Sequence, residues 1–202
     1  FENGRLAETL VCPTGFSSVD AAERLAQQLL ARGFDPRSSL RATGYGRVAV
    51  PYADRVVTEI TCHGKGAGFL FGGGGTVVDV GGQDTKVIVL RGGKVVKFAM
   101  NDKCSAGTGK FLEVMATASR SQEELARLAR AGAPTSISSM CTVFAESEVI
   151  TIGKGTPRED IAYAVIESVV ERVSVLVAQG KGAPYFLTGG CATTGTSSSA
   201  RR

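Results

Sequence analysis

The amino-acid sequence predicts a mixed α/β fold, in which a meander of three short strands is followed by helices and a final strand. Three observations support this prediction. Short apolar runs alternate with glycine turns over residues 76–100, a long segment with helical apolar spacing covers 156–180, and "PYFL" runs into a Gly-Gly turn at 184–190. Short β-rich runs bounded by turn residues are typical of strands, and the 3.6-residue spacing of apolar residues is typical of helices.

The first part of the chain carries weaker signals. Residues 18–33, "SVDAAERLAQQLLARG", have helical spacing, with Ser18 as the expected cap and Gly33 as the end. The segment 40–50 is predicted as a strand broken by a glycine-rich turn, and 57–71 as partly helical. This part therefore supplies no clear sheet of its own.

The meander follows from three apolar runs, "TVVDV" (76–80), "TKVIVL" (85–90) and "KVVKFAM" (94–100). The turns between them, "GGQD" and "RGG", are short and rich in glycine, so each favours a hairpin between antiparallel strands. This pattern predicts one compact sheet.

Four helices are predicted after the meander. One begins just after Cys104, and a second spans 121–132, where Ser121 and Glu124 have the spacing of a capping box. A third runs on from Cys141. The clearest covers 156–180, with Thr156 as cap and Pro157 at the first position. Its expected buried stripe consists of Ile161, Val165, Val169, Val173 and Leu176.

Composition narrows the functional classes. The 202 residues are 43% hydrophobic and 21% charged, with no apolar run long enough to cross a membrane and no signal-peptide pattern. The net charge of +4 comes from scattered basic residues, which argues against nucleic-acid binding. The five cysteines form no CxxC pair, so reduced thiols in a cytoplasmic protein are expected.

Two Gly-Gly junctions suggest a nucleotide site. In "VVDVGGQDTKVIVL", Asp79 ends one strand and Gly81-Gly82 begin the turn to the next, while "LTGG" (187–190) is a second strand-to-glycine junction. Glycine turns expose backbone N–H groups to phosphate, and a nearby carboxylate can orient hydrated magnesium. Either junction alone would more often be an ordinary turn; the two together favour nucleotide binding.

Two cysteines stand before predicted helices. In "MNDKCSAGTGKFLEVMA", Cys104 occupies the position of the first glycine of a phosphate loop, and Phe111 replaces the magnesium-binding hydroxyl. Cys104 and Cys141 could each be a nucleophile, a cluster ligand or a small buried side chain, because helix N-termini stabilise a thiolate. The single histidine, His63, has no spacing that links it to either.

The stretches "DVGGQDTKVI", "MNDKCSAGTGKFLEVMA" and "ISSMCTVFAESEVI", with "ATGYGR" and "TCHGKGA", resemble the ATP-dependent activators of 2-hydroxyacyl-CoA dehydratases (BadF/BadG/BcrA/BcrD ATPase family). That family includes the ATPase subunits of benzoyl-CoA reductase. The resemblance runs from about residue 40 to residue 190.

The resemblance implies an acetate-kinase/Hsp70/actin-like fold of two ribonuclease-H-like lobes with ATP and Mg²⁺ between them. It divides the chain into an N-terminal lobe remnant (1–75), a C-terminal ATPase lobe (76–190) and an irregular tail (191–202). It also implies a homodimer that shares one [4Fe-4S] cluster, with Cys104 and Cys141 as the ligands from each subunit. The nucleotide positions that it implies are Asp79, in a catalytic role, and Gly81, Gly82, Gln83, Asp84, Gly189 and Gly190.

The implied activity is electron transfer driven by ATP hydrolysis, from reduced ferredoxin or flavodoxin through the cluster to a dehydratase or benzoyl-CoA reductase component. It also implies that the helix after Cys104 points its N–H groups at the cluster.

The sequence departs from the family at both ends. The first phosphate motif of the family is missing, and "CATTGTSSSARR" stands where an asparagine loop and a last helix are expected, so we expect a truncated chain. Two alternatives stay open: a non-redox regulatory or kinase-like ATP-binding member of the same superfamily, and an inactive fragment. No role is assigned to Cys12, Cys62 or Cys191.

Overall fold

The computed structural model describes residues 5–35, 39–101, 106–116, 121–135, 137, 142–180 and 182–192. The chain divides into two compact units, residues 1–63 and 64–202. The domain boundary at residues 75 and 76 that was expected from sequence stays a prediction. No helix in the described part of the chain is long and apolar enough to cross a membrane.

The first unit contains one long helix and little sheet. Helix α1 (Ser18–Ala31) begins after Ser17, whose extended backbone and hydroxyl, 3.2 Å from the Asp20 amide, make it the N-cap. The predicted cap, Ser18, is therefore the first helical residue. Strands β1 (Arg41–Ala42) and β2 (Arg55–Val56) form a short parallel pair. The strand predicted over 40–50 ends early because Tyr45–Ala49 form a 3-10 turn.

Helix α2 (Glu59–Phe71) confirms the helical prediction for 57–71 and leads to the sheet of the second unit. The sheet contains β3 (Gly75–Val80), β4 (Thr85–Arg91), β5 (Lys94–Asn101) and β6 (Tyr185–Thr188) in the order β5-β4-β3-β6. The meander is antiparallel, as predicted, and β6 adds to it in parallel beside β3. All of β3 is buried, and so is β4 except for its last residue.

The helices of the second unit are α3 (Gly109–Ala116), α4 (Gln122–Ala129), α5 (Thr142–Ile152) and α6 (Arg158–Gln179). Ser121 caps α4 as predicted, with its hydroxyl 3.1 Å from the Glu124 amide. The cap predicted for α6 is wrong. The amide of Thr156 donates to the carbonyl of Ile152 and so belongs to the turn that ends α5, and Pro157 takes the cap position.

Helix α6 packs between the sheet and the other helices, which explains why its buried face is wider than the predicted stripe. Val165 and Val169 are buried as expected, and Ala162, Ala164 and Ser168 are buried beside them. Val173 contacts both the helical core and the sheet cluster of Val78, Val80 and Val87. The core is therefore continuous from the sheet through α6 to α3–α5.

Candidate functional site

The two Gly-Gly junctions lie side by side at one end of the sheet. Strands β3 and β6 are parallel neighbours, and their register pairs Asp79 with Thr188. The turns that follow, Gly81-Gly82 and Gly189-Gly190, therefore leave the same edge of the sheet. Ligands of α/β sheets commonly bind beyond the carboxyl ends of adjacent parallel strands. The structure thus brings together all the nucleotide positions that the sequence suggested.

Asp79 is fixed by groups from both neighbouring strands. The residue is only 6% exposed, and its Oδ1 accepts a hydrogen bond from the Thr188 hydroxyl at 2.8 Å. On the other side, the ammonium of Lys86 lies 3.7 Å from Oδ2. A buried carboxylate needs such partners, because an unpaired buried charge is strongly unfavourable. The carboxylate is held in one orientation at the end of β3.

The turn at 81–84 is closed by its own backbone. The Gly81 amide donates to the Asp84 carbonyl at 2.9 Å, and the Asp84 carboxylate accepts from Lys86 at 2.6 Å. Gly82 and Gln83 are exposed at the tip. The carboxylates of Asp79 and Asp84 supply the oxygen ligands that magnesium prefers, directly or through its waters, so these residues fit a magnesium–nucleotide complex.

In each glycine pair, the first residue has backbone atoms close to the place where a side chain would begin. An added Cβ on Gly189, whose φ is +92°, would overlap the Val80 carbonyl oxygen and lie 2.6 Å from its carbon. A Cβ on Gly81 would lie 3.0 Å from the Asp84 carbonyl oxygen. At Gly82 and Gly190, by contrast, no atom of the described residues lies within 4 Å of an added Cβ. The second glycine of each pair faces open space.

The turn is also tied to the start of α3. The amides of Gly109 and Lys110 donate to the carbonyls of Gly81 and Gly82 at 2.8 and 2.7 Å. The Thr85 hydroxyl donates to the Gly107 carbonyl at 2.7 Å. A helix N-terminus normally leaves its first amides without intrahelical partners. Here two of them bind the turn of the candidate site.

This arrangement corrects the sequence prediction for α3. The helix begins at Gly109 and not just after Cys104, since Gly107 adopts φ +85°, a left-handed conformation that an α-helix does not contain. The amides of Gly109 and Lys110 point at carbonyl oxygens of the turn, so they do not serve the predicted purpose of facing a cluster. Cys104 and Cys141 themselves lie outside the described residues.

Cys191 joins the same region, although no role was assigned to it. It lies in a 3-10 turn, Gly190–Ala192, and packs against the sheet cluster and the helical core. Burial raises the pKa of its thiol, and the negative charge of Asp79 raises this pKa further. Residues 191 and 192 are therefore packed parts of the fold, whereas the rest of the predicted irregular tail, 193–202, lies outside the described residues.

Residues 6–200 match the sequence model of the BadF/BadG/BcrA/BcrD ATPase family. The chain belongs to this ATPase family. The match covers nearly the whole chain and includes both glycine turns and both cysteines that carried the resemblance.

Relatives and solved structures agree with this membership. The chain is 43% identical to the protein YjiL of Escherichia coli, over 93% of this chain and 75% of that protein. It is 46% identical to the (R)-2-hydroxyglutaryl-CoA dehydratase activating ATPase of Acidaminococcus fermentans, over 75% of this chain and 60% of that protein. The chain thus spans only part of these relatives.

A solved structure gives the same result for the fold. The activator of the 2-hydroxyisocaproyl-CoA dehydratase from Clostridium difficile, with bound ADPNP, matches with a TM-score of 0.74 and 38% identity. The match covers 90% of this chain and 69% of that one. The predicted α/β fold of the acetate-kinase/Hsp70/actin type, with ribonuclease-H-like lobes, is confirmed.

Two residues of the site were missed from sequence, Lys86 and Thr188. Lys86 interrupts the apolar run "TKVIVL", and a lysine inside a buried strand signals a carboxylate partner. Across the hairpin register that partner is Asp79. Thr188 gave a weaker signal, since a threonine before a glycine turn is common. Antiparallel pairing of the two apolar runs would have been enough to find the lysine.

The metal prediction has no counterpart in the described residues. They contain no group of three or more His, Cys, Asp or Glu side chains that could hold a metal ion. The described cysteines, Cys12, Cys62 and Cys191, form no disulfide with one another. The cluster ligands therefore stay a prediction.

Proposed function

We propose that this chain is the ATP-binding part of an activator of a 2-hydroxyacyl-CoA dehydratase, driven by ATP hydrolysis. The observation that carries the proposal is the pair of adjacent glycine turns, with Asp79 held between Thr188 and Lys86 at their base. The family and the names of the relatives support the ATPase and the activator role. Because the chain spans only part of those relatives, its partner and substrate are inferences.

In the proposed complex the phosphates of ATP lie against the turn at 81–84. Gly82 and Gln83 are exposed there, and the open space at Gly82 allows an approach that a side chain would obstruct. Gly189 and Gly190 take the adenosine side of the nucleotide. Asp79, to which we assign the catalytic role, and Asp84 would hold the hydrated Mg²⁺ of the nucleotide, and the ion would supply stabilisation of the negative charge on the phosphates.

We expect hydrolysis of ATP to change the position of α3. A change in the position of the turn at 81–84 also moves the carbonyls of Gly81 and Gly82, which accept the first amides of α3. The same segment is held by the Thr85 hydroxyl at Gly107 and by the Asn101 amide at the Ala106 carbonyl, 3.0 Å away. These backbone and side-chain hydrogen bonds form a short route from the proposed nucleotide position to residues 106–110.

The redox part of the proposal rests on Cys104 and Cys141 and on the family resemblance. The two cysteines of each subunit would hold one [4Fe-4S] cluster in a homodimer, and such a cluster stores and releases one electron. Reduced ferredoxin or flavodoxin would be the donor and the dehydratase the acceptor. The chain's contribution is the two thiolates and the helices that follow them.

The nucleotide step and the redox step can be tested separately. We expect Lys110→Pro to keep α3, since proline is tolerated in the first turn of a helix, and to remove the donor to the Gly82 carbonyl. Lys110→Ala keeps that amide and is the matched control. In hydrogen–deuterium exchange, a non-hydrolysable ATP analogue should change the exchange of residues 111–116 in the control and not in the proline variant. Equal responses in both would contradict the coupling.

For the redox step, the chain purified without oxygen should contain iron and sulfide in equal amounts, about two of each per subunit. Cys104→Ser and Cys141→Ser should each lose them, whereas Cys62→Ser should retain them. A colourless, iron-free wild-type protein that still binds ATP would favour the non-redox alternative within the same superfamily.

A further inference from the structure

We propose that Lys86 is a positioning residue that holds Asp79 and Asp84 and cancels one of their two charges, so that the site binds magnesium with a nucleotide and not magnesium alone. This inference rests on the proposed function, because it concerns the selectivity of the same site. It assigns a role to the charged side chain that is most deeply buried in the described part of the chain.

The burial of Lys86 requires an explanation. The residue is 3% exposed, and the residues before and after it in β4, Thr85 and Val87, are buried as well. A lysine at a sheet position of this kind loses the hydration of its ammonium group, which is strongly unfavourable without anionic partners. The two carboxylates that pair with it among the described residues, Asp79 and Asp84, belong to the candidate nucleotide site. The lysine is therefore tied to the site and not to a separate surface ion pair.

The geometry gives the two carboxylates different contacts. Asp84 Oδ1 is 2.6 Å from the ammonium, within hydrogen-bonding distance, whereas Asp79 Oδ2 is 3.7 Å away and takes part in a longer ion pair. Asp79 Oδ1 is held by Thr188. Because each carboxylate oxygen can accept more than one hydrogen bond, these contacts fix both groups and still leave acceptor capacity for waters on a metal ion.

The charge of the group determines what it can bind. In the described part of the chain, the two carboxylates and the ammonium together carry a net charge of −1. Magnesium gives up its waters reluctantly and is usually held by one or two carboxylates together with substrate phosphates. A site of charge −1 therefore depends on the nucleotide for the rest of the negative charge. Without Lys86 the charge is −2, and the same two carboxylates would attract a bare divalent cation.

The test measures Mn²⁺ alone, as a paramagnetic substitute for Mg²⁺, in the absence of nucleotide. Free Mn²⁺ is followed by electron paramagnetic resonance while the chain is titrated. We expect Lys86→Met to bind Mn²⁺ about tenfold or more tightly than the wild type, from one additional unit of negative charge at a few ångströms. Lys86→Arg keeps the charge and should stay within about threefold of the wild type.

If Lys86→Met does not fold, the effect of removing the lysine can still be measured in a protein that already carries Asp84→Asn. Asp84→Asn has a net charge of 0 at the site, and the double variant Lys86→Met/Asp84→Asn has −1 with one buried carboxylate fewer. The double variant should again bind Mn²⁺ about tenfold more tightly than Asp84→Asn. If removal of Lys86 changes the Mn²⁺ affinity less than twofold on both backgrounds, Lys86 only stabilises the fold and the proposal is wrong.

The measurements distinguish two ways of failing: Lys86 serves only the stability of the fold, or the chain does not bind a nucleotide at this site at all. Lys86→Met should also weaken the binding of magnesium–ADP, because the two carboxylates lose their common anchor. If the wild type binds no nucleotide, the proposed function fails, while the Mn²⁺ titrations still report the effect of the lysine charge. If the wild type binds magnesium–ADP and the Mn²⁺ affinities do not change, only the inference on Lys86 is overturned.

Discussion

The two glycine turns of the site both begin with a Gly-Gly pair, and in both pairs the first and the second glycine have different surroundings. In Gly189-Gly190 and in Gly81-Gly82, an added Cβ on the first residue would press on backbone atoms, whereas no atom of the described residues lies within 4 Å of an added Cβ on the second. The first glycine therefore serves the fold and the second leaves space for a ligand. A Gly-Gly pair read from sequence alone would give both residues the same role.

The largest effect is expected at Gly189. Alanine there would adopt φ near +92° and overlap the Val80 backbone, which cannot move without disturbing β3. Strain of ~1–2 kcal/mol from the backbone conformation and ~1–3 kcal/mol from overpacking should lower the free energy of unfolding by about 3 kcal/mol in sum. Urea unfolding measures it. Gly190→Ala is the matched control, and equal losses in both would refute the division between the two residues.

Gly81→Ala should have an intermediate effect. The added Cβ would lie 3.0 Å from the carbonyl oxygen and the carboxylate of Asp84, and the carboxylate can shift where the carbonyl cannot. We expect a loss of ~1–2 kcal/mol in the free energy of unfolding. Gly82→Ala, in the same turn, should cost less than half as much in the same urea titration. A larger loss for Gly82 would reverse the assignment.

The second glycines should affect binding more than stability. If the nucleotide occupies the open space at Gly82 and Gly190, a methyl group at either position should weaken ATP binding about tenfold, or ~1.4 kcal/mol. Calorimetric titration with ATP and magnesium measures the affinity. Gly155→Ala adds a methyl group that also has no neighbour within 4 Å, outside the site, and should leave the affinity unchanged. Unchanged affinity in all three variants would exclude these turns as the binding surface.

The smallest effect concerns the thiol beside Asp79. Burial and the charge of Asp79 both raise the pKa of Cys191, so its thiolate should form at higher pH than that of an ordinary exposed thiol. The rate of alkylation by iodoacetamide, followed by mass spectrometry of the Cys191 peptide, should therefore begin to rise at a higher pH than the rate for an ordinary exposed thiol. Asp79→Asn removes the second cause and should shift this rise to lower pH. A shift in the opposite direction would contradict the charge interaction.

Much of the sheet could be predicted because its signals are local. The meander needed only alternating apolar runs and short glycine turns, and α4 needed only the spacing of Ser121 and Glu124. The pairing of β6 with β3 joins residues more than 100 positions apart. The sequence did not predict this pairing; it suggested only that the two Gly-Gly junctions together favour nucleotide binding.

The errors arose where a local signal competed with a tertiary contact. Thr156 has the sequence signal of a helix cap, but its amide completes the last turn of α5. Helix α3 begins later than predicted, because Gly107 adopts a left-handed conformation where it packs against Arg172. Lys86 was overlooked since only strand pairing reveals its partner. Such contacts depend on which elements become neighbours, and the sequence pattern of one element does not contain that information.

The most direct test of the central claim, that both turns hold one nucleotide, is hydrogen–deuterium exchange of the wild-type chain with and without magnesium and a non-hydrolysable ATP analogue. We predict slower exchange in peptides covering 81–84 and 189–192, and no change at the β4–β5 turn, Gly92-Gly93. Protection of only one of the two turns, or equal protection at Gly92-Gly93, would contradict the account.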